Sequence, residues 1–427
     1  MKVLQQASSD VLVSICCLSF NHEKYIAQTL DSFLSQKTSF KFEILVHDDA
    51  STDQTRKILL RYKKKFPDKF RLMLRRKNQY LNHRHYAIWA FFLKAKGTFV
   101  ALCEGDDYWC DEYKLQKQVD SLMQHKCARF SFHRTRVQDD WKVAKCTIPS
   151  SGFDGHNNVL TPNQMMELIE YELIHFSSFM FRSDLLYPIC STFKKYNQID
   201  TGDYFIRLIC VVAGDSVFID DTMSVYRCNV ENSWTTNTKN DVDRLIVHAC
   251  KMLKNVSALE EILGNNHVSF VEHHKREYAL SLFTSACKKY GDCFRDDVYE
   301  YIANKLVPLI AVNDECPVFY GAGPLFNKIK NKLIAERPNH KLLFHVIDVS
   351  QPKHVDIVSG ANYLGLDDVL DFEATFVITP LFRCAGIEKK LLERFGGVRK
   401  MLKVDDFFDA SDLISFIDNH NMCGNEI

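Results

Sequence analysis

Apolar runs alternate with segments of helical spacing through the first half of the chain. Val11 to Leu18 is apolar and β-branched, the pattern of a buried strand, and Glu23 to Leu34 then places Tyr25, Ile26, Leu30 and Phe33 at helical spacing. Phe42 to Val46 predicts a second strand running into His47-Asp48-Asp49. Ser51-Thr-Asp-Gln54 has the form of a capping box opening a helix through Lys65. Asn82 to Ala95 predicts another helix, Thr98 to Cys103 a third strand ending in Glu104-Gly-Asp-Asp107, and Tyr113 to Met123 a further helix. Strand alternating with helix implies an α/β fold whose parallel sheet is covered on its faces. Ligands of such sheets bind beyond the carboxyl ends of the strands. Here three strands end in polar or acidic residues: Ser19 to Glu23, Asp48-Asp49, and Glu104 to Asp107. Brought to one edge, they suit a cation or a polyhydroxylated ligand.

The pattern then changes. From Asn237 to about Val307 the apolar positions recur at helix spacing, as in Leu245, Ile246, Ala249, Met252, Leu253, Val256 and Leu259. His273 and His274 are adjacent and so point to different sides of a helix, which suits surface positions better than metal ligation. From Asn313 onward short strands return at Cys316 to Tyr320, Leu342 to Ile347 and Thr375 to Thr379, with helices after Pro324 and over Gly386 to Phe395. The reading is three parts: residues 1–236 as an α/β sheet domain, 237–312 as a helical middle segment, and 313–427 as a small Rossmann-like domain. In the last, Gly321-Ala-Gly323 between strand and helix permits close approach to a phosphate, and Asp348 follows the second strand. The third glycine of a full fingerprint is absent, so a docking or scaffold role stands beside nucleotide binding.

Composition removes several classes. The 427 residues include 54 Lys+Arg and 54 Asp+Glu, so the formal net charge is zero, against a global nucleic-acid or anionic-membrane binder. Fifteen cysteines over this length, none in CxxC spacing, read as reduced core residues rather than a disulfide scaffold. The polar start and the lack of a transmembrane-length apolar run predict a cytoplasmic protein, with peripheral association at the inner membrane face through a partner left open.

Residues from about Val11 to Trp234 resemble a family 2 glycosyltransferase of GT-A fold. The resemblance rests on Val13-Ser-Ile-Cys-Cys-Leu-Ser-Phe-Asn-His-Glu23, on Glu43-Ile-Leu-Val-His-Asp-Asp-Ala-Ser-Thr-Asp-Gln-Thr55, and on Gly97-Thr-Phe-Val-Ala-Leu-Cys-Glu-Gly-Asp-Asp-Tyr-Trp109, in this order and spacing. It covers a little over half of the chain. It implies an inverting transfer of a sugar from a nucleotide-activated donor, a UDP-sugar, to the hydroxyl of a glycan or lipid-linked acceptor in bacterial surface-polysaccharide synthesis, with no nucleic-acid partner.

The resemblance also implies roles. Ser19, Asn21 and Glu23 would border the nucleotide, and Asp49 would bond the uracil or ribose. Asp106 and Asp107 match the acidic turn that holds the ribose and the metal-bound diphosphate, with Mg²⁺ or Mn²⁺ as the ion. Glu104 stands where many members have Asp. Trp109 would border the sugar or acceptor, or simply pack beneath the loop. Ile199-Asp-Thr-Gly-Asp203-Tyr-Phe resembles the segment that supplies the general base; Asp203 is preferred over Asp200, which sits where a helix cap would. His175 and Trp234 fall on the acceptor side, and Arg227 would offset diphosphate charge or form a structural ion pair. Two other readings stay open: a non-catalytic sugar-nucleotide or glycan-binding scaffold, and a C-terminal half that is an independent dinucleotide-using enzyme.

Overall fold

The computed structural model describes residues 11–80, 85–139, 144–150, 159–196, 199, 201–230, 233–239, 241–311, 318–320, 323–336, 344–347, 355–356, 361–364, 375–379, 400–403 and 410–419. Asp200, Gly321, Asp348 and the helix expected over Gly386 to Phe395 lie outside them. The chain divides into two compact units. One comprises Met1–Asn240 with Asn255–Val271, the other Asp241–Lys254 with Glu272–Ile427.

The first unit is built on a mixed sheet flanked by helices. Its parallel part is β1 (Val11–Ser19), β2 (Lys41–Asp48), β3 (Phe70–Leu74) and β4 (Phe99–Glu104), in the order β3-β2-β1-β4. The crossovers carry α1 (Ile26–Leu34), α2 (Thr55–Lys65) and α3 (His85–Phe92). Buried Ile15, Ile44, Val46, Phe99 and Ala101 from the strands pack with Leu30, Phe33 and Leu59 from the helices in one core. The expected cysteines, Cys16, Cys17, Cys103, Cys210 and Cys250, are buried free thiols.

Beyond β4 the sheet stops being purely parallel. After β5 (Tyr108–Trp109), α4 (Lys114–Gln124) leads into β6 (Ala128–Asp139), followed by β7 (Ala144–Ile148), β8 (Val159–Leu160) and α5 (Pro162–Tyr171). A 3-10 turn, Phe176–Ser178, then delivers β9 (Met180–Arg182), which pairs antiparallel with both β4 and β6. After α6 (Leu186–Lys195) and α7 (Gly202–Val212), β10 (Asp215–Cys228) runs parallel to β6 and antiparallel to β5. The expectation of a parallel sheet is therefore corrected: β5 and β8 pair antiparallel with β10, β7 with β6, and β9 with β4 and β6.

The register carries the functional consequence. Parallel pairing sets Ser19 opposite Asp48 and Leu18 opposite Glu104. Hydrogen bonding continues past the strands, from Asp49 N to Ser19 O at 2.9 Å and from Gly105 N to Leu18 O at 2.8 Å. The three polar strand ends thus meet at one edge.

Helices α8 (Trp234–Lys239) and α10 (Val256–Leu263) belong to the first unit, and α9 (Val242–Lys254), between them in sequence, belongs to the second. The long helix α11 (Val268–Ala311) is interrupted at Gly291, whose φ of 78° and ψ of −163° break the helix where glycine tolerates it. A six-stranded sheet follows: β11 (Val318–Tyr320), β12 (Phe344–Ile347), β13 (Val355–Asp356), β14 (Ala361–Leu364), β15 (Thr375–Ile378) and β16 (Lys400–Lys403), ordered β13-β14-β12-β11-β15-β16. Helix α12 (Pro324–Glu336) begins on its proline, where the missing N–H is harmless, and α13 (Ala410–Asn419) comes last. No described helix is long and apolar enough to cross a membrane.

Candidate active site

The Glu104-Gly-Asp-Asp107 turn is held from three sides. From α1, the Thr29 hydroxyl lies 2.6 Å from the Asp107 carbonyl oxygen and 2.9 Å from that of Gly105. From the 3-10 turn, the Ser177 hydroxyl donates to Asp107 Oδ2 at 2.7 Å. From β10, the Arg227 backbone N–H donates to Asp107 Oδ1 at 3.0 Å, and its guanidinium donates to the Asp106 carbonyl and to the Gln28 side chain. The guanidinium is 5.1 and 4.6 Å from the ring centroids of Tyr25 and Tyr108. Arg227 is only 2% exposed, so the structure places it under the turn, as its clamp, with its charge directed at backbone and aromatic faces.

Gly105 is required by close approach. A Cβ there would sit 2.7 Å from His22 Nδ1 and 3.1 Å from the Leu18 carbonyl oxygen. Gly105→Ala should therefore destabilise the protein by about 1–3 kcal/mol, the usual effect of overpacking, and displace the acidic turn. Urea unfolding checks this, and an unchanged midpoint would mean that the loops yield freely.

The turn concentrates negative charge with little to balance it. Burial, then Asp106 and Asp107, then Asp203, raise the Glu104 carboxyl well above the usual carboxylate range. Burial and then Asp106 raise Asp107 in the same way, against the lowering effect of Ser177 and Arg227. Asp106 keeps one buried oxygen, Oδ1, without a hydrogen-bond partner, while its Oδ2 lies 3.7 Å from His22 Nε2. A buried acceptor left unsatisfied costs roughly 1–3 kcal/mol. Clustered, under-partnered carboxylate oxygens are the donor set of a hard divalent cation.

Glu104, Asp107 and His175 bring potential ligand atoms within 4.8 Å of one another. The carboxylates fit a metal; the histidine, as oriented, does not. Its Nδ1 accepts the Ser177 backbone N–H at 3.3 Å, so the single proton of the neutral ring resides on Nε2. A ligating histidine instead donates from its second nitrogen. Burial lowers the His175 pKa to about 3, which keeps it neutral, and the ring stacks on Tyr226 at 4.2 Å. His175 therefore presents an N–H, 3.7 Å from Asp107 Oδ2, as a hydrogen-bond donor to the acidic pocket.

Asp203 is exposed in the first turn of α7, near enough to Glu104 to raise its pKa. The remaining expected residues have other tasks in this structure. Asn21, in the left-handed region at φ 55°, accepts Thr52 N at its side chain, and its own N–H donates to the Ser51 hydroxyl. Glu23 accepts Gln54 N at 2.7 Å, and its own N–H donates to Asp53. These bonds stitch the loop after β1 to the loop after β2. The capping box is corrected accordingly: the Ser51 hydroxyl donates to Asp48, and the helix starts later, at Thr55, whose N–H donates to Asp53.

Asp49 spends both oxygens on the backbone N–H groups of Gln79 and Tyr80, at 2.8 and 2.9 Å, fixing the loop after β3. Ser19 is buried with its hydroxyl unpartnered, beside the turn. Trp109 is 4% exposed, packs on Phe33 at 4.6 Å and donates its indole N–H to the Ser177 carbonyl, so it supports the site from below. Trp234 opens α8. Sequence reasoning assigned no task to Ser177, Thr29 or His22, although His22 lies inside the quoted motif ending at Glu23; nothing in the chain order says that their side chains face the turn.

Residues 14–184 match the family model described as Glycosyl transferase family 2. That segment holds the acidic turn, both stitched loops and His175; Asp203 and Arg227 lie beyond it. An uncharacterized protein of Mycobacterium tuberculosis is 30% identical over 226 residues, which is 52% of this chain and 60% of that protein. The UDP-Glc:alpha-D-GlcNAc-diphosphoundecaprenol beta-1,3-glucosyltransferase WfaP of Escherichia coli is 31% identical over 132 residues, which is 31% of this chain and 49% of that enzyme. The chain thus spans 60% or less of the length of these relatives. Among solved structures, S. aureus TarS in complex with UDP-GlcNAc aligns at 16% identity with a TM-score of 0.40, covering 64% of this chain and 82% of that one. That likeness is too distant to carry an inference.

Proposed function

We propose that this chain is a glycosyltransferase that moves a sugar, with inversion, from a nucleotide-activated donor, a UDP-sugar, to a hydroxyl of a glycan or lipid-linked acceptor in the synthesis of bacterial surface polysaccharide. The observation that carries this reading is the under-compensated carboxylate cluster at the sheet's carboxyl edge, inside the segment that matches Glycosyl transferase family 2. A surface loop rich in acid would be solvated; here Asp107 is buried, Glu104 and Asp106 are half-buried, and the turn is clamped into place.

Asp106 and Asp107, with Glu104 beside them, would hold Mg²⁺ or Mn²⁺. When bound, such an ion supplies positive charge against the departing diphosphate. The neutral His175 N–H offers a hydrogen bond to an anionic oxygen in the pocket. Asp203 takes the proton from the acceptor hydroxyl as its oxygen bonds to the anomeric carbon. The bond from that carbon to the diphosphate breaks, and the electron pair leaves with the diphosphate. Ser19, Asn21, Glu23 and Asp49 shape the nucleotide side of the edge through the loops that they fix.

A thermal-unfolding screen of nucleotide sugars with and without a divalent cation tests the donor site. UDP and its sugars should raise the melting temperature only when the cation is present. The cation's own effect should grow as pH rises, because Glu104 and Asp107 hold their protons above the usual carboxylate range and must lose them before they can ligate. Stabilisation by no nucleotide, or a cation effect that strengthens toward acid, would count against the reading.

A further inference from the structure

The neutral chain conceals a strongly basic segment. Residues 56–77 contain eleven Lys or Arg and one acidic residue, Asp68, within a protein whose total charge is zero. Helix α2 carries the first part of it. Its buried face is Thr55, Ile58 and Leu59. Lys57, Leu60, Arg61 and Lys64, spaced at i, i+3, i+4 and i+7, form one stripe on the opposite face, and all four are exposed. Leu60 is 53% exposed in the middle of the stripe.

Several other charges of the segment have partners within the fold. Arg56 faces Asp48, Arg71 pairs with Glu43, and Lys63 donates to the carbonyls of Pro67 and Phe70. Lys57, Arg61 and Lys64 form no ion pair with any described carboxylate. A solvated helix face ordinarily mixes both signs. A face of one sign around an exposed leucine has the composition of a helix that lies against an anionic interface.

We infer that the Lys57-Leu60-Arg61-Lys64 face of α2 docks on an anionic lipid surface. The charges are complementary to acidic headgroups, and Leu60 adds apolar contact at the acyl boundary. The location is also suitable. The Thr55 hydroxyl at the start of α2 accepts the His22 N–H, so the helix leaves directly from the carboxyl edge of the sheet. Docking would hold that edge near hydroxyls presented at a membrane. The inference concerns binding alone and does not depend on the transfer reaction.

The test is co-sedimentation of the full chain, without donor or cation, with vesicles of phosphatidylcholine alone and of phosphatidylcholine with phosphatidylglycerol. Binding is expected only to the anionic vesicles and should weaken with added salt. Each basic residue near such a surface contributes roughly fivefold in affinity, so the triple variant Lys57→Gln, Arg61→Gln, Lys64→Gln should bind about a hundredfold more weakly. Lys57→Arg with Lys64→Arg should bind as the parent does. Unchanged thermal unfolding of the triple variant shows that it still folds. Equal binding to neutral vesicles, undiminished binding by the triple variant, or binding to a single-stranded oligonucleotide without vesicle binding would overturn the inference.

Discussion

Asp203→Asn is expected to lower sugar transfer by about 10²–10⁴-fold, the range for loss of a general base, while nucleotide binding stays within about twofold. The substitution keeps the shape of the side chain and removes its ability to take a proton. Its position makes the structural consequences small, because Asp203 is exposed in the first turn of α7 and no buried network depends on it. It contributes to the raised pKa of Glu104, after burial, Asp106 and Asp107. Removing that charge should ease Glu104 ionisation slightly and leave a cation site intact. Single-turnover transfer and calorimetric titration with UDP, run on the same preparation, separate the two effects. Equal loss of transfer and of nucleotide binding would move the base to another residue.

Asp106→Asn is expected to act in opposite directions on activity and stability. Asp106 is the largest charged contributor to the raised pKa of both Glu104 and Asp107. Its Oδ1 is buried without a hydrogen-bond partner. Neutralising it relieves repulsion within the turn, so the folded protein should be more stable at alkaline pH, where the neighbouring carboxyls are ionised. Transfer should fall by about 10²–10³-fold, the range for loss of a group stabilising developing charge. Stabilisation by the divalent cation should also disappear. Asp107→Asn differs, because its oxygens accept from Arg227 and Ser177 and an amide would set its N–H₂ against one of those donors. That variant should lose stability as well as activity. Denaturant unfolding of the two variants, in the absence of cation, distinguishes them. A destabilised Asp106→Asn would mean that its carboxylate is a structural acceptor.

Local pattern carried the parallel strands β1, β2 and β4 and their polar ends, because buried strands are continuous apolar runs. Of the cysteines it expected in the core, Cys16, Cys17, Cys103, Cys210 and Cys250 are buried, but Cys110, Cys127, Cys146 and Cys293 are exposed. What it did not carry is anything set by long-range pairing. Strand β3 was absent from the reading, and the antiparallel direction of β9 follows from contacts with β4 and β6 that no window of sequence contains. The same limit applies within the site. The acidic turn was legible as a motif; that Ser177 and Arg227 reach Asp107 from 70 and 120 residues away, while Asp106 Oδ1 stays unpartnered, was not. Arg227 read either as a partner of diphosphate charge or as a structural ion pair; its guanidinium in fact donates to the Asp106 carbonyl and to Gln28 beneath the turn. The hydroxyl of Ser51 looked like a helix cap and instead serves Asp48. The proton position on His175 depends on a backbone N–H two residues away, a matter of turn geometry. The basic face of α2 was lost for a simpler reason: summing charge over the whole chain cancelled it.

Release of UDP from a panel of UDP-sugars, followed with Mg²⁺ or Mn²⁺ and then with EDTA, tests the central claim most directly. The account predicts release from at least one sugar, dependent on the cation, faster when an acceptor is supplied, and absent in Asp106→Asn. Release that continues undiminished in EDTA, or that persists in Asp106→Asn, would contradict it.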